Sequence, residues 1–223
     1  MIVLKEILKK PLSIIVFSSI LVFFNSWPAF ILMRRGWFLR DSTVFSVVTA
    51  LSAFFIMFVI PMFIIKFVFK KQLSDFGLSI PENLSRALKL IAIALLILLP
   101  FIFLLAGKTN FQDFYLIKRS FSGLFFLEIL ASCLYFFSEE FLFRGVLFFG
   151  LWDKLKLHTF WITNLIFAIF HLNKPYGEVF FAFFAGLLLS YVSLKTKSFI
   201  PAAIIHIILA LTLNAIILIY SIT

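Results

Sequence analysis

Seven stretches of almost unbroken apolar sequence divide this chain: Leu12–Met33, Val44–Phe67, Ala87–Ala106, Ser122–Leu151, Thr159–Leu172, Val179–Leu194 and Phe199–Tyr220. A helix needs about 17–25 such residues to cross the hydrocarbon of a bilayer. None of the stretches alternates polar and apolar positions as a barrel strand would. Lipid offers no partner to backbone amides, so helices are the structure left to them. The chain therefore reads as an all-α polytopic bundle of about seven or eight transmembrane helices. Composition agrees, with 63% hydrophobic residues and 34 Phe against roughly 45–50% apolar residues in soluble domains. The fifth and sixth stretches are short, as spans that stop partway or meet a thinned bilayer would be. Pro61 and Pro100 fall within or near helix ends and are expected to kink them. With no internal repeat, residues 1–223 read as one integral membrane domain.

Charge sits between the spans. The net charge of +10 comes in small clusters, which is how topology is written, and it excludes a nucleic-acid-binding face. Counting alternate sides places the N-terminal lysines with Lys66, Lys70, Lys71, Arg86, Lys89, Lys154, Lys156, Lys195 and Lys197. Arg34, Arg35, Arg40, Lys108, Lys118, Arg119 and Lys174 fall opposite. The richer side predicts a cytoplasmic N-terminus and a multi-pass protein of the cell membrane. The basic start followed by an apolar run, without a small-residue cleavage site, reads as an uncleaved first span. The single Cys133 excludes an intrachain disulfide framework and a cysteine-based zinc site.

Most acids lie in tails or gaps: Glu6, Asp41, Asp75, Glu82, Asp113, Asp153 and Glu178. Glu128 stands near the start of its run, within reach of headgroups. Glu139 and Glu140, with Arg144 one turn on, stand inside FFSEEFLFRGVLFF. A charge at that depth costs about 2.5–3.5 kcal/mol on insertion scales, so three of them point to a function. Glu140 and Arg144 are spaced i,i+4 and share a face, while Glu139 points about 100° away. Phe167 and His171 have the same i,i+4 spacing, and His206 lies in the last span. At about 1.5 Å per residue from the N-terminal side, Glu139 and His171 come out roughly 17–18 Å deep and His206 nearer 10 Å. Three helices would thus turn acid and imidazole groups into one wet interior. His158, beside Lys154 and Lys156, reads as a surface residue.

Together these residues resemble the CAAX protease and bacteriocin-processing family of intramembrane endopeptidases. Its first motif, two Glu, three residues, then Arg, stands as Glu139, Glu140 and Arg144. The second, Phe, three residues, His, stands as Phe167 and His171. The third begins at His206 in SLKTKSFIPAAIIHIILAL, and SDFGLSIPEN from Ser74 is similar to the connector that precedes the family's core. The motif-bearing core runs from about residue 122 to 223. The family's Asn four residues after the third-motif His is here Ala210; Asn214 and Asn164 are the two nearby amides. The resemblance implies hydrolysis of a peptide bond in a membrane-associated substrate. Glu139 and His171 would polarise a water, His206 would donate to the oxyanion, and Glu140 with Arg144 would orient the site. No cofactor is implied, although two His and a Glu also form a known zinc ligand set. Two other readings stay open: a family relative that only binds a peptide or partner in the membrane, favoured by Ala210, and an ion or proton transporter.

Overall fold

The computed structural model describes residues 11–37, 43–116 and 125–222. Among them the regular structure is helical. Helix α1 is Pro11–Arg34, α2 Thr43–Val68 and α3 Leu84–Ala106. A short α4, Thr109–Leu116, follows. The helix over 125–155, α5, joins an α-helical part, Phe125–Glu140, through a π segment, Phe141–Phe149, to a last turn and a half, Gly150–Leu155. Helix α6 is His158–Phe170, α7 Tyr176–Thr196 and α8 Ile200–Ile222.

All seven apolar stretches thus fall on helices, and α4 is an addition that its weak apolar pattern concealed. Among the described residues five helices, α1, α2, α3, α7 and α8, are long and apolar enough to cross a membrane. Helix α7 has 21 residues, so the sixth span is not the short one its apolar core suggested; Glu178 and Lys195 had hidden its ends. Helix α6 remains short. It stops at Phe170, and His171 lies in the turn beyond it rather than in the span. The start of the fourth apolar stretch, residues 122–124, and the residues of the uncleaved-span reading before Pro11 lie outside the described ones.

Two apolar cores hold the bundle. One surrounds the π segment, whose Phe141, Leu142, Phe143 and Leu147 are fully buried against α1, α2 and α6. The other joins α3, α7 and α8 through Ala94, Leu98, Ala185, Leu189, Ile205 and Leu209. Wide i→i+5 turns are uncommon and recur where a helix carries function. Helix α2 holds two such segments, Phe54–Val59 and Ile64–Val68, and the one in α5 starts immediately after Glu140.

The connector from Ser74 is stitched to the turn before α8. A 3-10 turn, Leu73–Phe76, ends on Gly77 at φ +73°, the left-handed region that favours glycine. From there Gly77 accepts from the Phe199 amide at 3.1 Å. Ser198 Oγ donates to the Ser79 carbonyl at 2.6 Å, and Ser79 Oγ to that of Lys197 at 3.2 Å. A Cβ at Gly145 would stand 2.9 Å from the Phe76 carbonyl, so this glycine admits the connector against the π segment.

Candidate active site

Glu139 and Glu140 close the α-helical part of α5, and both are buried, at 2% and 0% exposure. Neighbours give them different surroundings. Glu140 is claimed on two sides. Arg144 Nη1 donates to its Oε1 at 3.2 Å, and Nε sits 3.1 Å from Oε2 as an electrostatic contact without hydrogen-bond alignment. From α8, His206 Nδ1 lies 2.7 Å from Oε1. A carboxylate can only accept, so with Glu140 ionised the Nδ1 carries the hydrogen and Nε2 is the ring's other face.

Arg144 has no solvent exposure. Its Nη2 reaches the Gly186 carbonyl at 3.4 Å and Asn164 Oδ1 at 3.5 Å, and its guanidinium lies 4.2 Å from the centre of the Phe167 ring. A Cβ on Gly186 would stand 3.0 Å from Nη2 and collide with Asn164 Oδ1. Asn164 is itself held, donating to the Phe160 carbonyl at 2.7 Å and Ser190 Oγ at 3.2 Å. Of the two amides that could stand in for the missing family Asn, Asn164 is therefore a partner of Arg144.

Glu139 is the contrast. Among the described residues no group donates to its buried Oε1, and where the likewise undonated Glu140 Oε2 has the Arg144 guanidinium against it, none of the ion pairs among the described residues includes Glu139. One ligand atom each from Glu139, Glu140 and His206 lies within 4.8 Å of the others. The three groups therefore share one level, although straight α-helical counting set His206 a turn shallower. The π segment accounts for the difference in sign, since wider turns put more residues into each unit of length and bring Glu139 closer to the helix end than its residue count implies.

His171 belongs to a different part of the same site. Its Nδ1 is 2.8 Å from the Phe167 carbonyl. The carbonyl accepts, so Nδ1 donates and Nε2 keeps a lone pair; this bond also satisfies one of the carbonyls a helix leaves unpaired at its C-terminus. The Phe167 ring packs on both imidazoles, with centroids 4.6 Å from His171 and 5.9 Å from His206. Both histidines line a cavity of about 220 Å³ at the meeting of the two cores, together with Phe136, Phe181, Ala210 and Asn214. Glu139 is set back from that lining. His171 lies outside the Glu139, Glu140 and His206 cluster.

Residues 121–212 match the model of a family described as type II CAAX prenyl endopeptidase Rce1-like. All three motifs lie inside the match. Over those residues the chain is similar to the CAAX proteases. No curated protein and no solved structure matches it.

Measured against the CAAX protease pattern, the departure is local. Ala210 lines the cavity and leaves it an apolar methyl where the family carries an amide. Asn214 also lines the cavity, but it is two helical turns, about 12 Å of rise, from His206. As a metal site, the three-ligand cluster already has Glu140 engaged by a guanidinium and an imidazole N–H, whereas Glu139 Oε1 is open.

Sequence reading missed four cavity residues. Glu178, assigned to a gap between spans, is 8% exposed in the first turn of α7. Lys174 Nζ meets its Oε1 at 2.6 Å and Tyr115 Oη donates to its Oε2 at 2.6 Å. The legible signal was the i,i+4 spacing of Lys174 and Glu178. Glu128, read as interfacial, accepts from Thr43 Oγ1 at 2.7 Å and also lines the cavity.

Proposed function

We propose that this chain is an intramembrane endopeptidase that cleaves a membrane-associated peptide with a water activated by Glu139. The observation that carries this is the buried, undonated Oε1 of Glu139 beside His206 and Glu140. A buried acceptor left unpaired costs about 1–3 kcal/mol, more when charged. It is kept where the reaction brings its partner, here the O–H of the attacking water.

The water's proton passes to Glu139 and its oxygen bonds to the scissile carbonyl carbon. His171, with Nδ1–H fixed on the Phe167 carbonyl, offers the Nε2 lone pair to the water's second hydrogen. His206, held by Glu140 through Nδ1, donates from a protonated Nε2 to the oxyanion. Glu139 then gives its proton to the leaving nitrogen as the carbon–nitrogen bond breaks. Arg144 and Glu140 do no chemistry in this scheme and fix the helix and the His206 ring. The apolar cavity beside the imidazoles is suited to hold an extended peptide out of water. The N-terminus faces the cytoplasm in this proposal, on the charge asymmetry of the loops.

Cleavage of a candidate membrane substrate in proteoliposomes tests it. Glu139→Gln and His171→Ala are expected to lower kcat by about 10²–10⁴-fold in protein that inserts and folds as wild type. Full activity in both variants removes the assignment. Ala210 favours a second reading, a relative that binds peptide without cutting it. In that case both variants keep peptide affinity and neither they nor wild type yields product.

A further inference from the structure

His171 stands in a turn and not in a helix, so something beyond helical hydrogen bonds must fix it. That turn is short. The Lys174 amide donates to the His171 carbonyl at 2.9 Å, and Pro175 opens α7 directly after it. The Lys174 side chain then reaches forward to Glu178 at 2.6 Å, and Glu178 is held from the other side by Tyr115 of α4 at 2.6 Å. Helix α4 packs chiefly on α8 and α3 and meets the first turn of α7 through Phe111 and Tyr115. A Cβ at Gly177 would stand 2.9 Å from Leu105 and 3.4 Å from the ring of the buried Phe111. His171, Lys174, Glu178 and Tyr115 all line the one cavity.

From this geometry we infer that Tyr115, Glu178 and Lys174 form a positioning clamp that holds the turn carrying His171, so that its ring keeps its place on the Phe167 carbonyl. The inference rests on the role proposed for His171. Each link has a separate duty. Tyr115 fixes one carboxylate oxygen so that the other faces Lys174, and Lys174 ties the turn that carries His171 to the first turn of α7. Burial draws the Lys174 ammonium down, but Glu178, Tyr115 and Glu139 outweigh it and hold the group above its ordinary value, so the clamp keeps its cation.

The chain has 3 His, so ¹⁵N-histidine NMR of the full protein in nanodiscs resolves each ring, with assignment by single His→Gln substitutions. Wild type should show His171 as one neutral Nδ1–H tautomer. Lys174→Met is expected to shift or split the His171 nitrogens while His158 and His206 stay in place, and Lys174→Arg to restore them. If Lys174→Met fails to fold, Tyr115→Phe, which spares the Lys174–Glu178 pair, is expected to move the same resonances by a smaller amount. Unchanged His171 resonances in the folded variant overturn the clamp. In cleavage assays the same variants should lose up to about 10²-fold in kcat with KM unchanged, as a misplaced group does. A shifted His171 in a protein that cleaves nothing keeps the clamp and ends the protease reading.

Discussion

Glu139 and Glu140 are adjacent in sequence, on one helix, equally buried, and they occupy opposite kinds of surroundings. Glu140 sits in a closed polar network with Arg144, His206, Asn164 and the Gly186 carbonyl. Glu139 has an oxygen to which no described residue donates. In the proposed reading the two carboxylates take two roles, separated by environment and not by residue type. The closed side fixes geometry, and the open side is available to a reactant.

Exchanging partners should separate the two sides. Glu139→Gln, with its cleavage loss of about 10²–10⁴-fold, should leave the unfolding midpoint in detergent equal to or above that of wild type, because it removes a buried charge that lacked a donor. A large drop in stability would place Glu139 in the structural network after all. Arg144→Met should do the reverse. It strips Glu140 of its guanidinium and leaves it only the His206 contact, and is expected to cost about 3–5 kcal/mol by denaturant or thermal unfolding. Ala210→Asn adds an amide beside His206 and is expected to raise kcat by up to about 10²-fold if that amide belongs to the oxyanion site. An unchanged rate would mean that His206 suffices. Gly186→Ala drives a methyl into Asn164 and Arg144 and should cost about 1–3 kcal/mol of stability through the closed side alone. Ser198→Ala removes the bond to the Ser79 carbonyl and the one its Oγ accepts from the Ile200 amide, for about 0.5–1.5 kcal/mol each. Hydrogen exchange at Phe199 and Ala203 reads that loss locally.

What could be read beforehand follows the same division. Apolar length marked every long helix, and the acids inside FFSEEFLFRGVLFF were conspicuous because lipid makes them costly. The i,i+4 spacing anticipated both the Glu140–Arg144 pair and the ring of Phe167 on His171. Two things were hidden. Depth counted at an α-helical rise misplaced His206 relative to Glu139, since nothing in FLFRGVLFF announces i→i+5 bonding. Glu178 looked like a loop acid because its partners lie 4 residues before it and 63 residues before it, and the distant one, Tyr115, carries no local signature. The role of SDFGLSI could be matched by resemblance, but its hydrogen bonds to the Lys197–Phe199 turn appear only once the chain is folded.

The wide turns of Phe141–Phe149 have one more implication. A helix that closes on the fifth residue holds surplus chain relative to one that closes on the fourth. Deleting a single residue there would let the backbone rewind to the commoner pitch, at the expense of swinging the acid pair about 100° around the axis relative to Gly150–Leu155. Loss of one codon, without any change to the acids or imidazoles themselves, would aim both carboxylates away from their partners.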